Sequence, residues 1–556
     1  MYKADLYEIQ FALCRYIGYS GPFAKNGVQN NRRAPAFQGC RSTGNQSMTT
    51  GIQLNLQLQE FMTAVNNQPK PLIIPLCAEL PLLKISPLDI YTSTRAGCGF
   101  LLESMEGSEK LARYSFIGID PEFVISLGKT VNLRGKEPFI SIAQEPEGKD
   151  PVEKIKSILS RFHYMNVKAP RFFGGMVGYF AYDCIYSMFE KVREGKPVSF
   201  KSDHDMPDAC FMFTKDCIVI DHRDKKLYVF SSPFLTYDTD IEGEYKKCSE
   251  RIRALADHVS ALTSRKKPRY VKSSSSAKYA PFTSQVSQDA FEHSVDLVKE
   301  HIVAGDIFQA VLSRRIECRI ADDPFAVYAA LREINPSPYM YYLDFGDEKV
   351  IGASPEMLVR VEKRRVTTVP IAGTRPRGKN SAEDEQFSRD LMSDAKERAE
   401  HTMLVDLARN DLGRVCRFGS VEVSEFMTIE KFSHVQHIVS TVNGTLKDNL
   451  DCYDAFRSCF PAGTVSGAPK IRAMQIIDEQ ESLPRGIYAG AVGYIGFDRN
   501  LDFAIAIRTV IVRDGTAYVQ IGAGIVADSV PAHEWTETEN KAAAMIRAIE
   551  QSGGCS

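Results

Sequence analysis

The chain has 556 residues, 44% of them hydrophobic and 25% charged, with a formal net charge of −2. That balance excludes a nucleic-acid protein, which needs a basic excess to neutralise phosphates. It suits a globular enzyme of one very large domain or several average ones. The most apolar stretch, PLIIPLCAELPLL, is broken by Pro75, Glu79 and Pro81, so no run reaches the ~18 apolar residues of a membrane span.

Residues 1–47 are polar, turn-rich and without periodicity, and read as a disordered extension or a misplaced start ahead of Met48. Asp5, Glu8 and Arg15 interrupt any secretory core. A transit peptide fits less well, because the basic segment opens with acids. Residues 48–264 begin with the helical pattern LQLQEFMTAV and become strand-rich from about 68 to 257. Within them, CIVIDHRDKKLYVF predicts a hairpin turning at His222–Lys225. RKKPRYVKSSSSAKYAP (265–281) is basic and serine-rich, the composition of a surface linker.

Residues 282–551 mix helices and strands. Ser287 is placed as the N-cap of a helix with Phe291, Val295, Val298 and Ile302 at helical spacing and Gly305 as its stop. The region closes with the helix PAHEWTETENKAAAMIRAIEQ. The thirteen cysteines lack CxxC or Cys/His spacing, which points to reduced thiols of a cytoplasmic enzyme rather than disulfides or zinc.

Two helical segments carry carboxylate pairs: Glu397 with Glu400, and Glu534 with Glu537. Residues three apart are neighbours on a helix face, and four carboxylates on two helices could hold a hard dication such as Mg²⁺. Any single pair is better read as a solvated surface. FPAGTVSGAPK (460–470) fails as a phosphate loop, since Lys470 does not directly follow a glycine; a turn into a helix is expected. IGAGIVADS has two glycines after the strand AYVQ, where backbone N–H groups could face an anion. AIAIRTVIV puts Arg508 inside an apolar strand, paired or facing a ligand. VPIAGTRPRG (369–378) reads as a bare turn around Ala372.

In this order, GDIFQAVLSR, GASPE, PIAGTRPRG, ERAEHTMLVDLARNDLGRV, HIVSTVNGTL, FPAGTVSGAPK, IYAGAVGYIG, AIAIRT and IGAGIVADS resemble the chorismate-utilising enzymes, and among them anthranilate synthase component I. They span about 300 to 545, and LLES, RYSFIGIDP and GGMVGYFAYD extend the match to about residue 70. The resemblance implies an α+β fold of large antiparallel sheets packed as a sandwich with flanking helices. It implies Mg²⁺ on Glu400 and Glu537, with Glu397 and Glu534 as alternate or outer ligands. Arg508 and Tyr488 would bind the enolpyruvyl carboxylate, helped by backbone at Gly522, Ala523 and Gly524. Gly373 and Thr374 would line the chorismate site. Glu356 would be the general acid and His437 a residue of the elimination step, with Thr464 nearby; His434 is read as structural.

The same resemblance separates branches. Aminodeoxychorismate synthases often carry lysine where this chain has Ala372, and isochorismate and salicylate synthases carry lysine where it has Gln309. Both positions favour ammonia as the nucleophile. No cysteine sits on a G-x-C-x-G elbow, so a glutamine amidotransferase subunit is expected as a partner chain in a heteromer. LLES and NPSPYM match a tryptophan-feedback element, placing Glu103, Ser104, Pro338, Tyr339 and Met340 around the inhibitor. Aminodeoxychorismate synthase component I is the rival enzyme, and an inactive chorismate or tryptophan sensor the rival of another class. Retention of Glu356, Glu400, His437, Arg508 and Glu537 argues against the sensor.

Overall fold

The computed structural model describes residues 52–553, apart from 83, 106–112, 168, 194–205, 264–281, 321–322 and 433–434. The 1–47 segment, the 265–281 linker and His434 lie outside the described residues.

Successive side chains of a strand face opposite ways, and that period sorts the core into two layers. Phe100, Phe116, Tyr341 and Val350 point into a core shared with Val359, Tyr494 and Phe503 of a second sheet. Their chain neighbours Leu101, Ile117, Tyr342 and Ile351 point into an outer core beneath helices. The result is a sandwich of a twelve-stranded and an eleven-stranded sheet. Helices covering the outer face of the first sheet include Leu58–Val65, Pro87–Thr94, Ile241–Leu262, Pro324–Ile334 and Pro531–Gln551. The expected α+β sandwich is the observed architecture.

Both sheets run through the chain on either side of the 265–281 segment. In the first, Tyr339–Asp344 pairs antiparallel with Gly99–Glu103, Met340 opposite Glu103. In the second, Ala491–Gly496 pairs antiparallel with Gly175–Phe180. The hairpin forms as expected, with Asp216–Asp221 pairing Lys226–Ser231 around residues 222–225. Ser287 caps Gln288–Val303 by accepting from the Ala290 N–H, and Gly305 follows with φ +82°.

Two helices carry the carboxylates. Ala395–Val415 starts where Asp394 accepts from the Lys396 and Glu397 N–H groups. Its buried stripe runs through His401, Leu404, Val405, Ala408 and Leu412, so Glu397 and Glu400 sit at the N-terminal end of that stripe. Pro531–Gln551 has proline in its first turn, where the missing N–H costs nothing. Glu534 opens its buried stripe, followed by Thr538, Ala542 and Met545.

Three local expectations are corrected. VPIAGTRPRG is not a bare turn: Ile371–Pro376 is a strand on Val435–Thr445, with its register shifted between Ala372 and Thr374. Gly373 is the extra residue, at φ +70°, a bulge that hydrophobic counting does not reveal. AIAIRTVIV is not one strand. Leu501–Ile505 belongs to the second sheet and Thr509–Arg513 to the first, and Arg508 stands at the crossing with φ +51°. Gly522 and Gly524 lie inside the strand Thr516–Ile525 rather than after it.

Candidate active site

Glu356 follows the strand Glu348–Ser354 and is fixed by backbone on both sides. Its carbonyl accepts from the Ile505 N–H at 3.0 Å, while the Ser354 hydroxyl donates to the Ile505 carbonyl at 2.7 Å. The Thr464 hydroxyl donates to Glu356 Oε1 at 2.9 Å. Glu356 opens on a cleft whose walls include Leu404, Leu407, Ala462 and Ile505. Burial pushes its carboxyl up to about 7, against the opposing effects of Thr464, Arg508 and Lys541. A carboxylic acid that keeps its proton near neutrality can serve as a general acid.

His437 is held by the bulge. Its Nδ1 lies 2.9 Å from the Gly373 carbonyl and 3.1 Å from Thr374 Oγ1. A carbonyl only accepts, so Nδ1 carries the proton and Nε2 keeps a free lone pair. Burial lowers the His437 pKa, and Arg508 lowers it further. The ring is a neutral base.

The residues named from sequence form one connected set. Arg508 acts on both Glu356 and His437. Its own pKa is lowered by burial and supported by Glu356. Its left-handed backbone is anchored by the Ala353 N–H donating to its carbonyl at 3.2 Å; a non-glycine residue there is strained, a feature that gathers at functional sites. Tyr488 is buried, and its hydroxyl oxygen lies where a Cβ on Gly522 would fall 2.5 Å away. A Cβ on Gly524 would meet the Gln309 amide nitrogen at 2.8 Å. Gly522 is required by close approach, since its Cβ would also lie 2.7 Å from the Leu312 carbonyl, whereas at Gly524 the end of the Gln309 side chain would have to move. Gly373 is crowded too, with Leu391 and Glu397 at 3.0 and 3.1 Å from its absent Cβ.

The carboxylates divide by partner. Glu397 accepts from Arg375 at 3.0 Å, and Glu537 pairs with Lys541 at 2.6 Å. Glu400 has no hydrogen-bond or ion-pair partner among the described residues. Its pKa is raised by burial, then by Glu397 and Glu537. Glu534 is raised by burial as well, and its Oε2 is buried without a hydrogen bond. Crowded carboxylates and an orphaned buried oxygen fit a hard dication. No three His, Cys, Asp or Glu side chains among the described residues form a cluster that could hold a metal ion without waters or substrate oxygens.

The feedback residues part company. Leu102, Ser104, Phe116, Tyr339, Tyr494 and Asp502 are among the residues lining a narrow pocket between the sheets, partly open to solvent. Glu103 and Met340 border the same pocket, but strand alternation sends Met340 into the outer core. The Glu103 carboxylate is taken by Tyr328 at 2.6 Å and by Arg332 at 3.0 and 3.1 Å. The carboxylate is thus ion-paired with Arg332 at the edge of the pocket. Pro338 is buried and does not line the pocket.

Sequence reasoning missed Lys541, which donates to the Gly522 carbonyl at 3.0 Å and lowers the pKa of Glu356, Glu400 and Glu534. Its spacing of four from Glu537 was the available signal. Lys470 is not a phosphate ligand; it pairs with Asp411 at 2.9 Å.

A buried carboxyl raised toward neutrality, a histidine whose pKa is lowered, an arginine at a sheet crossing and carboxylates on two helices lie together in one region of the fold. Residues 100–547 match the family described as chorismate binding enzyme, and the chain belongs to that family. Anthranilate synthase component 1 of Aquifex aeolicus is 46% identical over 505 residues, covering 90% of this chain and 98% of that protein. The protein of the same name from Acetivibrio thermocellus is 46% identical over 484 residues, covering 86% and 96%. Anthranilate synthase component I from Streptococcus pneumoniae superposes with a TM-score of 0.64 at 35% identity, over 79% of this chain and 93% of that one. The menaquinone-specific isochorismate synthase of Escherichia coli shares the fold at 19% identity, with a TM-score of 0.63 over 91% of this chain and 100% of that one.

Proposed function

We propose that this chain is the chorismate-converting component of anthranilate synthase, using ammonia and releasing pyruvate and water. The observation that carries this reading is the pairing of a Glu356 acid with a neutral His437 around Arg508, with no lysine at Ala372 or Gln309. Ammonia adds at C2 of the ring while Glu356 passes its proton to the departing 4-hydroxyl, which leaves as water. His437 Nε2 then accepts the C2 proton as the ring becomes aromatic and the enolpyruvyl group leaves as the enolate of pyruvate, which takes up that proton at its methylene carbon to become pyruvate. Arg508 and Tyr488 hold the enolpyruvyl carboxylate, and the backbone at Gly522, Ala523 and Gly524 approaches it closely because no side chain intervenes. Gln309 is an amide that cannot deprotonate water, which supports ammonia as the nucleophile.

Glu400 and Glu537 hold Mg²⁺, with Glu397 and Glu534 behind them; when bound, it supplies positive charge for the ring carboxylate. A glutamine amidotransferase chain delivers the ammonia. None of the chain's own thiols is suited to that chemistry: Cys98, in the closest context, is held as a thiol by burial. The inter-sheet pocket around Ser104 and Tyr339 takes tryptophan as a feedback inhibitor, and the complex works in the cytoplasm. Purified chain incubated with chorismate, Mg²⁺ and an ammonium salt should yield fluorescent anthranilate. Recovery of aminodeoxychorismate or isochorismate instead would overturn the assignment.

A further inference from the structure

Arg485 is a fully enclosed guanidinium. Its side chain is 2% exposed and that of its partner Glu481 is 8% exposed. The two are bonded twice, Nε to Glu481 Oε2 at 2.8 Å and an Nη to Oε1 at 2.6 Å. Burying such a pair is costly unless every remaining donor and acceptor is used. Here most of them are used, on the segments that build the site.

One guanidinium nitrogen donates to the Val465 carbonyl at 2.8 Å, one residue beyond the Thr464 that holds Glu356. Another donates to the Val311 carbonyl at 2.6 Å. Glu481 in turn accepts from the Ser313 N–H at 2.7 Å and its hydroxyl at 2.9 Å. Val311 and Ser313 lie opposite Gly524 and Gly522 in the neighbouring strand. On its other edge, the strand Gln309–Arg319 pairs with Gly467–Ala468 at one end and Thr283–Ser284 at the other. Between these, Arg485 and Glu481 satisfy backbone groups that a strand edge would leave open. The guanidinium also lies 4.6 Å from the Tyr182 ring centroid and 5.6 Å from that of Tyr488, a distance at which a cation and an aromatic ring attract.

We infer that Arg485 is the positioning residue of the site, setting Tyr488, the Thr464–Glu356 contact and the glycine strand together through its pair with Glu481. This rests on the function proposed above and adds a residue that touches no reacting atom. Only a planar fork can make these contacts at once, so lysine keeps the charge and loses the geometry.

The test is steady-state kinetics of Arg485→Lys and Glu481→Gln, with unfolding midpoints recorded for each. In Arg485→Lys, kcat should fall about 10- to 100-fold, the order expected when a reacting geometry is misplaced by about 1 Å. KM for chorismate should rise with it, because Tyr488 is displaced. The upper limb of the pH–kcat profile should also move to higher pH, since loosening Thr464 removes a bond that lowers the Glu356 pKa. Glu481→Gln should change kcat, KM and the limb in the same direction by less, and it serves if Arg485→Lys fails to fold. Folded variants whose midpoints drop while kcat, KM and the pH limb stay unchanged would overturn the inference and make the pair purely structural. An unmodified protein that makes no anthranilate would instead refute the proposed function.

Discussion

Glu356 concentrates the chemistry in a single carboxyl. Its ordinary value of 4.5 is raised to about 7 by burial, so between those values the folded chain keeps a proton that the unfolded chain has released. The stability this group contributes is complete below about 4.5 and is lost as pH rises through about 7. Glu356→Gln removes that titration. It should lower turnover by about 10²–10⁴-fold and raise the unfolding midpoint relative to the unmodified protein, more at pH 8 than at pH 5. A midpoint difference independent of pH would contradict the buried acid. The carboxylates proposed to hold Mg²⁺ give a second test. Glu400→Gln or Glu537→Gln should weaken Mn²⁺ binding, read directly by electron paramagnetic resonance, by about tenfold or more, and raise the Mg²⁺ needed for activity. Unchanged binding in both variants would remove them from the ion's site.

At the scale of elements, the bulge in Ile371–Pro376 connects sequence to catalysis. Gly373 allows the left-handed turn that presents its carbonyl to His437. In Gly373→Ala the backbone conformation should cost about 1–2 kcal/mol, and the added methyl would press on Leu391 and Glu397. The variant should lose stability and raise KM for chorismate together; a kinetically silent variant would mean that the bulge does not position His437. Periodicity and capping residues made the helices at Ser287 and Asp394 and the hairpin at 222–225 legible from sequence, because these depend on local spacing. The Arg508 crossing was not legible, since two apolar strands that join different sheets read as one continuous strand. The Tyr328 and Arg332 partners of Glu103 were not legible for a related reason. A strand's period says that neighbours diverge, but the face that meets a pocket depends on a sheet assembled from distant segments. Most of the site was named from motif resemblance; Lys541 and the Arg485–Glu481 pair appear only once their long-range partners are in place.

Across the whole molecule, the two sheets bring residues from both halves of the chain to the inter-sheet pocket, beside a catalytic cleft lined by residues 356–505. Tyr339 donates to Asp502 at 2.9 Å, and Asp502 shares a strand with Ile505, whose N–H holds Glu356. A ligand between Ser104 and Tyr339 is thus one strand away from the acid, and two-state coupling between such sites is typically worth 5- to 150-fold in affinity. Ser104→Leu should raise the tryptophan concentration for half-inhibition by about tenfold while turnover without tryptophan is retained. Inhibition that competes only with chorismate and survives Ser104→Leu would place the inhibitor elsewhere.

The most direct measurement uses nitrogen isotopes. The purified chain, free of any amidotransferase, is incubated with chorismate, Mg²⁺, ¹⁵N-ammonium and unlabelled glutamine, and the products are weighed by mass spectrometry. The expected product is anthranilate carrying ¹⁵N, with an equal amount of pyruvate. Anthranilate bearing the glutamine nitrogen, or a chorismate isomer containing no nitrogen, would contradict an ammonia-using site that depends on a partner for glutamine.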